Sequence, residues 1–250
     1  MNRNPGRHEG AGQTKARCLK TTERVAGSEA GASIDEGSIE DHVYAIAVEL
    51  LNQSRKALDI STLHRACVAK LNVSQALVNI GIFNLLKKKV LVEGSKMTAD
   101  SVLENPLRFA ILEHVSKNPG SRSRDLRRAM GIDNGESTWH LQMLERFGHL
   151  RSKRFGKYKS FYPAGLEEDL DEILCVLRQD TAYRVFYDVF TNSNSTAADV
   201  AGRLEMDPAT VQYHVNKLVP LGLIIQDGDG LSVNTDFWTR IIERSPGFSG

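Results

Sequence analysis

Hydrophobic side chains recur at helical spacing along most of the chain after residue 38. Residues 39 to 53 place Val43, Ile46, Ala47 and Leu50 at the i, i+3, i+4 and i+7 positions that make one face of an amphipathic helix. Short pairs of extended runs separate the helical clusters. The pattern predicts a mainly α-helical protein with small β-hairpins.

The first 38 residues lack this pattern. They contain six glycines, and their only aliphatic side chains larger than alanine are Leu19, Val25 and Ile34. Such a segment buries too little apolar surface to offset the entropy lost on ordering. We predict that residues 1–38 form a disordered, nearly neutral tail.

A spacing frame in the middle of the chain recurs on both sides of it. The frame consists of Leu126, Met130, Ile132, Asp133, His140, Leu141, Leu144, Gly148 and Leu150. Shifted by 74 residues toward the C-terminus, every position keeps its chemical type, including His214 and Gly222. When the frame is shifted by 59 residues toward the N-terminus, its apolar positions are still occupied by apolar residues. Gly81 then stands in place of the histidine and Lys89 in place of the glycine. The sequence therefore predicts one unit in three copies.

Each copy is predicted to contain two helices, a tight turn and a longer third helix. Ser74, Asp133 and Asp207 stand where an N-cap accepts hydrogen bonds from the free amides of the third helix. Glu136 follows Asp133 by three residues, as in a capping box. Pro208 takes the first helical position of the last copy, which proline favours.

Two extended runs follow each third helix, at residues 90–98, 149–165 and 223–233. In the middle copy they are joined around residues 155–157. Three helices with a tight turn before the last one and a hairpin behind it make a winged helix-turn-helix. We therefore predict three tandem winged helix-turn-helix domains after the tail.

The chain is divided accordingly into a tail and three modules. The predicted ranges are 1–38 for the tail, 39–104 for a divergent first module, 105–163 for the middle module, 164–179 for a connecting helix and 180–250 for the third module. An apolar stripe runs along the connecting helix, at Leu166, Leu170, Ile173, Leu174 and Leu177. Five carboxylates are expected on its opposite, solvated face.

The middle module also resembles a known family. Its segments read NPLRFAILEHVSKNPG, RDLRRAMGI and ESTWHLQMLERFGHL, and the third module contains ATVQYHVNKLVPLGLI. These runs are similar to the archaeal winged-helix transcriptional regulators of ArsR/MarR type. The resemblance covers residues 105–235 well and 39–104 weakly, and it implies binding to double-stranded DNA.

Charge distinguishes the modules, although the whole chain carries only +1. The middle module holds twelve Lys and Arg against five Asp and Glu, a net +7. Residues 164–250 hold six against fourteen, a net −8, and residues 1–104 are +2. The near neutrality is thus a cancellation between a basic middle module and an acidic third module.

The basic side chains of the middle module fall on the elements that contact DNA in a winged helix-turn-helix. There the third helix enters the major groove, the second crosses the phosphates and the hairpin grips the flanking backbone. The predicted phosphate contacts are Arg122, Arg124, Arg127 and Arg128 on helix two, Arg146 on helix three, and Arg151, Lys153, Arg154, Lys157 and Lys159 on the wing. A solvated basic face is the alternative interpretation.

Base recognition would then come from the exposed face of the third helix. Thr138 and Gln142 suit it, because a threonine methyl meets the thymine methyl and a glutamine amide pairs with adenine. Trp139 is equally consistent with base contact and with packing.

The third module departs from this design. Its wing carries Asp227 and Asp229, which would repel phosphates. A second set of base readers is nevertheless present, at Gln212, Tyr213 and Asn216. We favour a protein-facing or dimerising role for this module.

Other classes of function find little support in the sequence. No apolar run approaches the roughly 18 residues of a membrane span, and no signal peptide is recognisable, so we expect a cytoplasmic, nucleoid-associated protein. Cys18, Cys67 and Cys175 are widely spaced and interpreted as free thiols, without metal. We find no catalytic motif and expect neither enzymatic activity nor a cofactor.

The sequence thus predicts a DNA-binding transcriptional regulator in which the middle module is the main reader. The alternative is a winged-helix scaffold or transcription-machinery subunit that mainly binds proteins, since the fold alone does not fix the ligand. A homodimer and a pseudo-dyad within one chain are both compatible with the tandem copies.

Overall fold

The computed structural model describes residues 37–54 and 56–245 of the chain. Nearly all of the predicted tail, residues 1–36, lies outside the described residues. The remainder is mainly helical, with two small antiparallel sheets. The predicted fold class is confirmed at this level.

The first module contains three helices that pack against one another and a fourth, short one. They are α1 (Ile39–Gln53), α2 (Ile60–Lys70), α3 (Gln75–Lys87) and α4 (Ala99–Leu103). The bounds of α1 coincide with the predicted helix, because Ser38 caps its first turn and its apolar face is buried.

The middle module has the predicted three helices and hairpin. Its elements are α5 (Pro106–Lys117), β1 (Ser121–Arg122), α6 (Ser123–Met130), α7 (Asn134–Arg146), β2 (Leu150–Phe155) and β3 (Tyr158–Pro163). The strands form a sheet in the order β1-β3-β2, with Phe155 opposite Tyr158 at the turn. We call β2, β3 and the turn between them the wing.

The predicted connecting helix is shorter than expected. A 3-10 turn (Glu168–Leu170) leads into α8 (Asp171–Leu177), and α9 begins at Asp180. The third module comprises α9 (Asp180–Thr191), α10 (Ala197–Leu204), α11 (Pro208–Leu218), the hairpin β4 (Ile224–Asp227) and β5 (Gly230–Val233), and α12 (Thr235–Arg244).

The predicted caps begin the third helix of each module. Asp133 accepts from the Glu136 amide at 2.8 Å, Asp207 from the Ala209 amide at 2.8 Å, and Ser74 from the Leu77 amide at 3.3 Å. Pro208 is the first residue of α11, as predicted.

Only one of the two hydrogen bonds of the capping box predicted at the start of α7 is present. The Asp133 amide does not donate to the Glu136 carboxylate. That carboxylate lies instead 3.8 Å from His140 Nε2, one turn along the same helix. The cap therefore rests on Asp133 alone.

The aligned positions after the third helices share an unusual backbone. Gly148 and Gly222 have φ of +69° and +73°, and Lys89 has +57° although it is not glycine. The left-handed conformation costs a non-glycine residue roughly 1–2 kcal/mol. Lys89 adopts this left-handed conformation nevertheless, so the first module has the same turn geometry at this position without a glycine.

The hairpin expected at residues 90–98 does not form. No strand is assigned among these residues, and their backbone pairs elsewhere. The Leu58 amide donates to Ser95 O at 2.8 Å, and the Gly94 amide donates to Leu58 O at 2.9 Å. The first module thus lacks a wing, because its last segment is tied to the loop before α2.

Three clusters of buried side chains follow the three modules, and two of them cross the predicted boundaries. Val102, from the end of the first module, is buried in the middle cluster. Tyr162, from the wing of the middle module, is buried in the third cluster, and Phe155 packs against that cluster. The wing therefore packs against the buried side chains of both the middle and the third module.

Candidate nucleic-acid interface

Helix α7 separates into a buried and an exposed face. Leu141 and Leu144 are buried in the middle cluster, and Ser137 and His140 of the same helix are also buried. Thr138, Trp139, Gln142 and Arg146 are exposed. The face predicted to read bases therefore points outward, as the helical spacing required. The same spacing predicts Met143 on this face, but Met143 is partly buried against the cluster.

Thr138 and Gln142 lie one turn apart on the exposed face of α7. The Thr138 hydroxyl donates to the Asn134 carbonyl of the same helix at 2.6 Å. Its methyl group is then the part left for a hydrophobic contact, whereas the Gln142 side chain keeps a donor and an acceptor. This pair suits an adenine and a neighbouring thymine methyl.

Trp139 combines the two roles that its sequence position suggested. Its ring meets His140 edge-on at 4.9 Å between centroids, and Arg108 Cζ lies 5.4 Å from its centroid. The residue nevertheless remains 48% exposed. It is packed on one side and available on the other.

The arginines assigned to helix two divide into three kinds. Arg122 lies in β1 and not in a helix, which corrects the prediction, and its guanidinium covers the Tyr158 ring at 3.8 Å. Arg127 is partly buried on α6. Arg124 and Arg128 are exposed, and the Arg124 side chain is 74% accessible.

The turn of the wing presents three exposed cations. Lys153 and Arg154 lie near the end of β2, and Lys157 lies in the turn itself. Lys157 Nζ lies 5.3 Å from the centroid of the Tyr158 ring, which is a cation–π contact.

Arg151, also predicted to grip phosphate, is held inside the protein. Its guanidinium donates to Asp171 Oδ2 at 2.6 Å and to Leu166 O at 2.7 Å. Asp171 is completely buried and lies 3.7 Å from Lys153 Nζ. Asp171 was expected on the solvated face of the connecting helix, and that expectation was wrong because it pairs with Arg151.

Two further predicted cations hold the wing and α7 in place. Lys159 Nζ lies 3.0 Å from Glu145 Oε2, and the same carboxylate accepts from the Ser152 hydroxyl. Arg146 donates to the Glu93 carbonyl of the first module at 3.0 Å. Glu145 joins α7 to the wing and was not singled out from the sequence.

The remaining exposed residues define what we call the basic face. It comprises Arg124 and Arg128 of α6, Thr138 and Gln142 of α7, and Lys153, Arg154 and Lys157 of the wing. Five full charges thus lie on the elements that flank α7. Glu136, near the start of α7, is an exposed carboxylate close to this face.

The second helix of the third module lacks a corresponding free cation. The Arg203 guanidinium of α10 donates to both Asp188 oxygens, with the shortest contact at 2.7 Å, and to Ser195 Oγ at 2.8 Å. On α11, Gln212 Nε2 donates to Asn216 Oδ1 at 2.9 Å, while Tyr213 is exposed. Arg203 is therefore engaged within the third module, and the role of this module toward DNA stays a prediction.

His140 and His214 occupy equivalent buried positions on α7 and α11. Burial lowers the pKa of both imidazoles, assisted by Arg108 near His140 and by Lys217 near His214, whereas Glu136 opposes the shift at His140. Each ring lies edge-on to the preceding aromatic side chain. Both histidines therefore behave as core residues.

Neither a metal site nor a membrane span is evident in the described part of the chain. Among residues 37–54 and 56–245, no three His, Cys, Asp or Glu side chains are grouped to hold a metal ion. No helix in the same ranges combines the length and apolar character needed to cross a membrane.

Comparison with known proteins identifies the middle module. Residues 105–172 match the model of a family described as an N-terminal HTH domain. A protein of Methanocaldococcus jannaschii, named as an uncharacterized HTH-type transcriptional regulator, is 29% identical over 161 residues, which cover 64% of this chain. The aligned region spans only 39% of that relative's length. The middle module is thus a helix-turn-helix domain.

Proposed function

We propose that this protein is a sequence-specific DNA-binding transcriptional regulator. In this proposal α7 enters the major groove, α6 crosses the phosphates and the wing grips the flanking backbone. The helix-turn-helix match at residues 105–172 and the relative named as an HTH-type transcriptional regulator support this class of function.

One observation carries the proposal. Thr138 and Gln142, which suit base edges, are flanked on α6 and the wing by five exposed cations. Arg151 and Lys159 are held at 2.6 and 3.0 Å by internal carboxylates. Among the five, Arg124 and Lys153 make longer ion pairs, at 3.8 and 3.7 Å, and stay exposed. A surface that only kept the module soluble would not need to place its exposed positive charge around one exposed helix.

We further propose that the three modules are tandem helix-turn-helix units of ArsR/MarR type, with a wing in the middle and third modules, and that the middle one is the main reader of DNA. In the middle module the exposed cations lie on α6 and the wing, on either side of the polar face of α7, whereas the exposed face of α3 in the first module is apolar. The third module keeps Arg203 paired with Asp188 and has acidic side chains on its hairpin, at Asp227 and Asp229.

A protein-binding role is the second candidate, and the first module supplies the observation that favours it. The exposed face of α3 carries Leu77, Ile80 and Phe83, whose exposed fractions are 41%, 52% and 63%. A base-reading helix would place polar side chains there, whereas an apolar stripe suits contact with another protein.

Selection of bound fragments from a pool of random duplexes, with the full chain as bait, tests the proposed function. The proposal expects a short enriched motif. A pool that stays random while the protein remains folded would instead favour the protein-binding scaffold.

A further inference from the structure

A cleft of about 640 Å³ separates the wing of the middle module from α11 of the third module. Lys157 and Tyr158 of the wing line one wall, and Tyr213 and Lys217 of α11 line the other. Its volume lies within the roughly 300–1,000 Å³ range of small-molecule sites. The cleft is thus large enough for a ligand of nucleotide size and far too small for a DNA duplex.

Positive charge and aromatic rings come together on both walls. Lys217 Nζ lies 4.2 Å from the Tyr213 centroid, and Lys157 Nζ lies 5.3 Å from the Tyr158 centroid. Among the described residues that line the cleft, only Glu172 carries a carboxylate, against these two ammonium groups. The charge of the lining therefore favours an anion.

Amide and apolar groups complete the lining. Asn216 accepts from Gln212 through Oδ1, which leaves its amide nitrogen as a donor. Gln179 adds a second amide, and Val176 and Leu221 add apolar surface. Ligand sites commonly combine such an apolar surface with a few polar groups that fix orientation.

We propose that this cleft binds a small aromatic anion of nucleotide size. The aromatic ring of the ligand would stack on Tyr213, which is 55% exposed. The anionic group of the ligand would contact Lys157 and Lys217. The two amides would hydrogen-bond the edge of the ring. Neither wall alone provides both cations, so the ligand would bridge the two modules.

Calorimetric titration of the full chain tests the site itself. The panel consists of AMP, GMP and UMP, with adenosine as the probe that lacks the charge and inorganic phosphate as the probe that lacks the ring. At least one aromatic anion should bind one per chain at submillimolar concentration, at least tenfold more tightly than its uncharged or ring-free counterpart. Absence of binding across the panel, or equal binding of the counterparts, would overturn the proposal.

Two variants and a matched control locate the binding. Lys217→Gln and Tyr213→Ala should each weaken the best ligand at least fivefold. Arg240→Gln should not, although Arg240 also lies over an aromatic ring, 5.7 Å from the Phe237 centroid. Binding that survives both cleft variants would assign the ligand to another site. A single-stranded decanucleotide that binds more than tenfold tighter than any mononucleotide would show a polymer site instead.

A consequence for regulation rests on the proposed function, because Lys157 belongs to both the cleft and the basic face. A bound anion would engage Lys157 and remove one phosphate contact. Saturating ligand should therefore weaken duplex binding at least threefold, measured by fluorescence anisotropy. Unchanged duplex affinity would refute this coupling alone. If the ligand-free protein does not bind the duplex at all, the proposed function is refuted, but the calorimetric evidence for the cleft still stands.

Discussion

Arg151 of β2 donates to the fully buried carboxylate of Asp171 at the start of α8, with 2.6 Å between Nη1 and Oδ2. The pair joins the wing of the helix-turn-helix domain to the helix that leads into the third module. Tyr162, whose hydroxyl donates to the Asp171 carbonyl at 2.8 Å, adds a second link. The orientation of the wing is thus set by packing outside its own module.

Removing the Asp171 carboxylate should destabilise the protein. Asp171→Ala leaves the largely buried Arg151 guanidinium without its counter-charge, and breaking a buried ion pair typically costs about 3 kcal/mol or more. Urea unfolding of the two proteins measures the difference. Glu168→Gln, which changes the same charge at an exposed position three residues earlier, should leave the free energy of unfolding within about 0.5 kcal/mol. Equal losses in both variants would contradict the structural role of the pair.

The buried histidines predict how stability depends on pH. Burial lowers the pKa of His140 and His214 in the folded protein, so a proton binds the unfolded chain more tightly. Stability from this source is complete above the ordinary histidine pKa of about 6.5 and is lost as the pH falls through and below it. In the double variant His140→Gln, His214→Gln, the free energy of unfolding should therefore decrease less steeply between about pH 7.5 and pH 5.5.

Unfolding in denaturant at several pH values checks this slope. His114, whose pKa is also lowered by burial and by Arg178, keeps part of the slope in the double variant. A slope identical to that of the wild type would show that neither His140 nor His214 contributes.

Gln142 should carry specificity at one position of the DNA site. Gln142→Ala removes an amide that can bond both edge groups of an adenine, a contact worth about 1–3 kcal/mol against the wrong base. The variant should bind the preferred site about tenfold or more weakly and accept other bases at that position. Competition among single-base variants of the selected duplex measures this. A uniform loss over all sequences would assign Gln142 to the backbone instead.

The apolar stripe of α3 predicts self-association through the first module. Replacing Ile80 and Phe83 by serine should shift a dimer to monomer in sedimentation velocity, because both side chains are more than half exposed and contribute little to the fold. Serine in place of the exposed Ile225 on β4 is the control and should leave the dimer intact. A wild type that stays monomeric at all concentrations would rule out this dimer.

Local sequence signals predicted most of the elements. The bounds of α1, the N-caps at Asp133 and Asp207 and the hairpin after α7 all depend on spacing and on residues a few positions apart, and the structure agrees with them. Helix α12 was missed, although Asn234 caps it and accepts from the Phe237 amide at 3.2 Å. That signal was present in the sequence and could have been used.

Long-range pairing explains what the sequence did not predict. Arg151 and Asp171 are 20 residues apart, and each looks like an ordinary surface charge within its own segment. Arg146 is likewise engaged by the Glu93 carbonyl, 53 residues away. Charge counting therefore could not separate the exposed cations of the middle module from those held by internal partners.

The salt dependence of DNA binding tests the central claim most directly. If the five cations of the basic face each neutralise a phosphate, a plot of log affinity against log salt should have a slope of about −4.5. Replacing Lys153, Arg154 and Lys157 by glutamine should reduce it to about −1.8, because two contacts remain. The matched triple variant of Arg65, Lys87 and Lys96, exposed cations of the first module, should keep the wild-type slope. A wild-type slope near zero, or equal slopes in both triple variants, would contradict DNA recognition by the middle module.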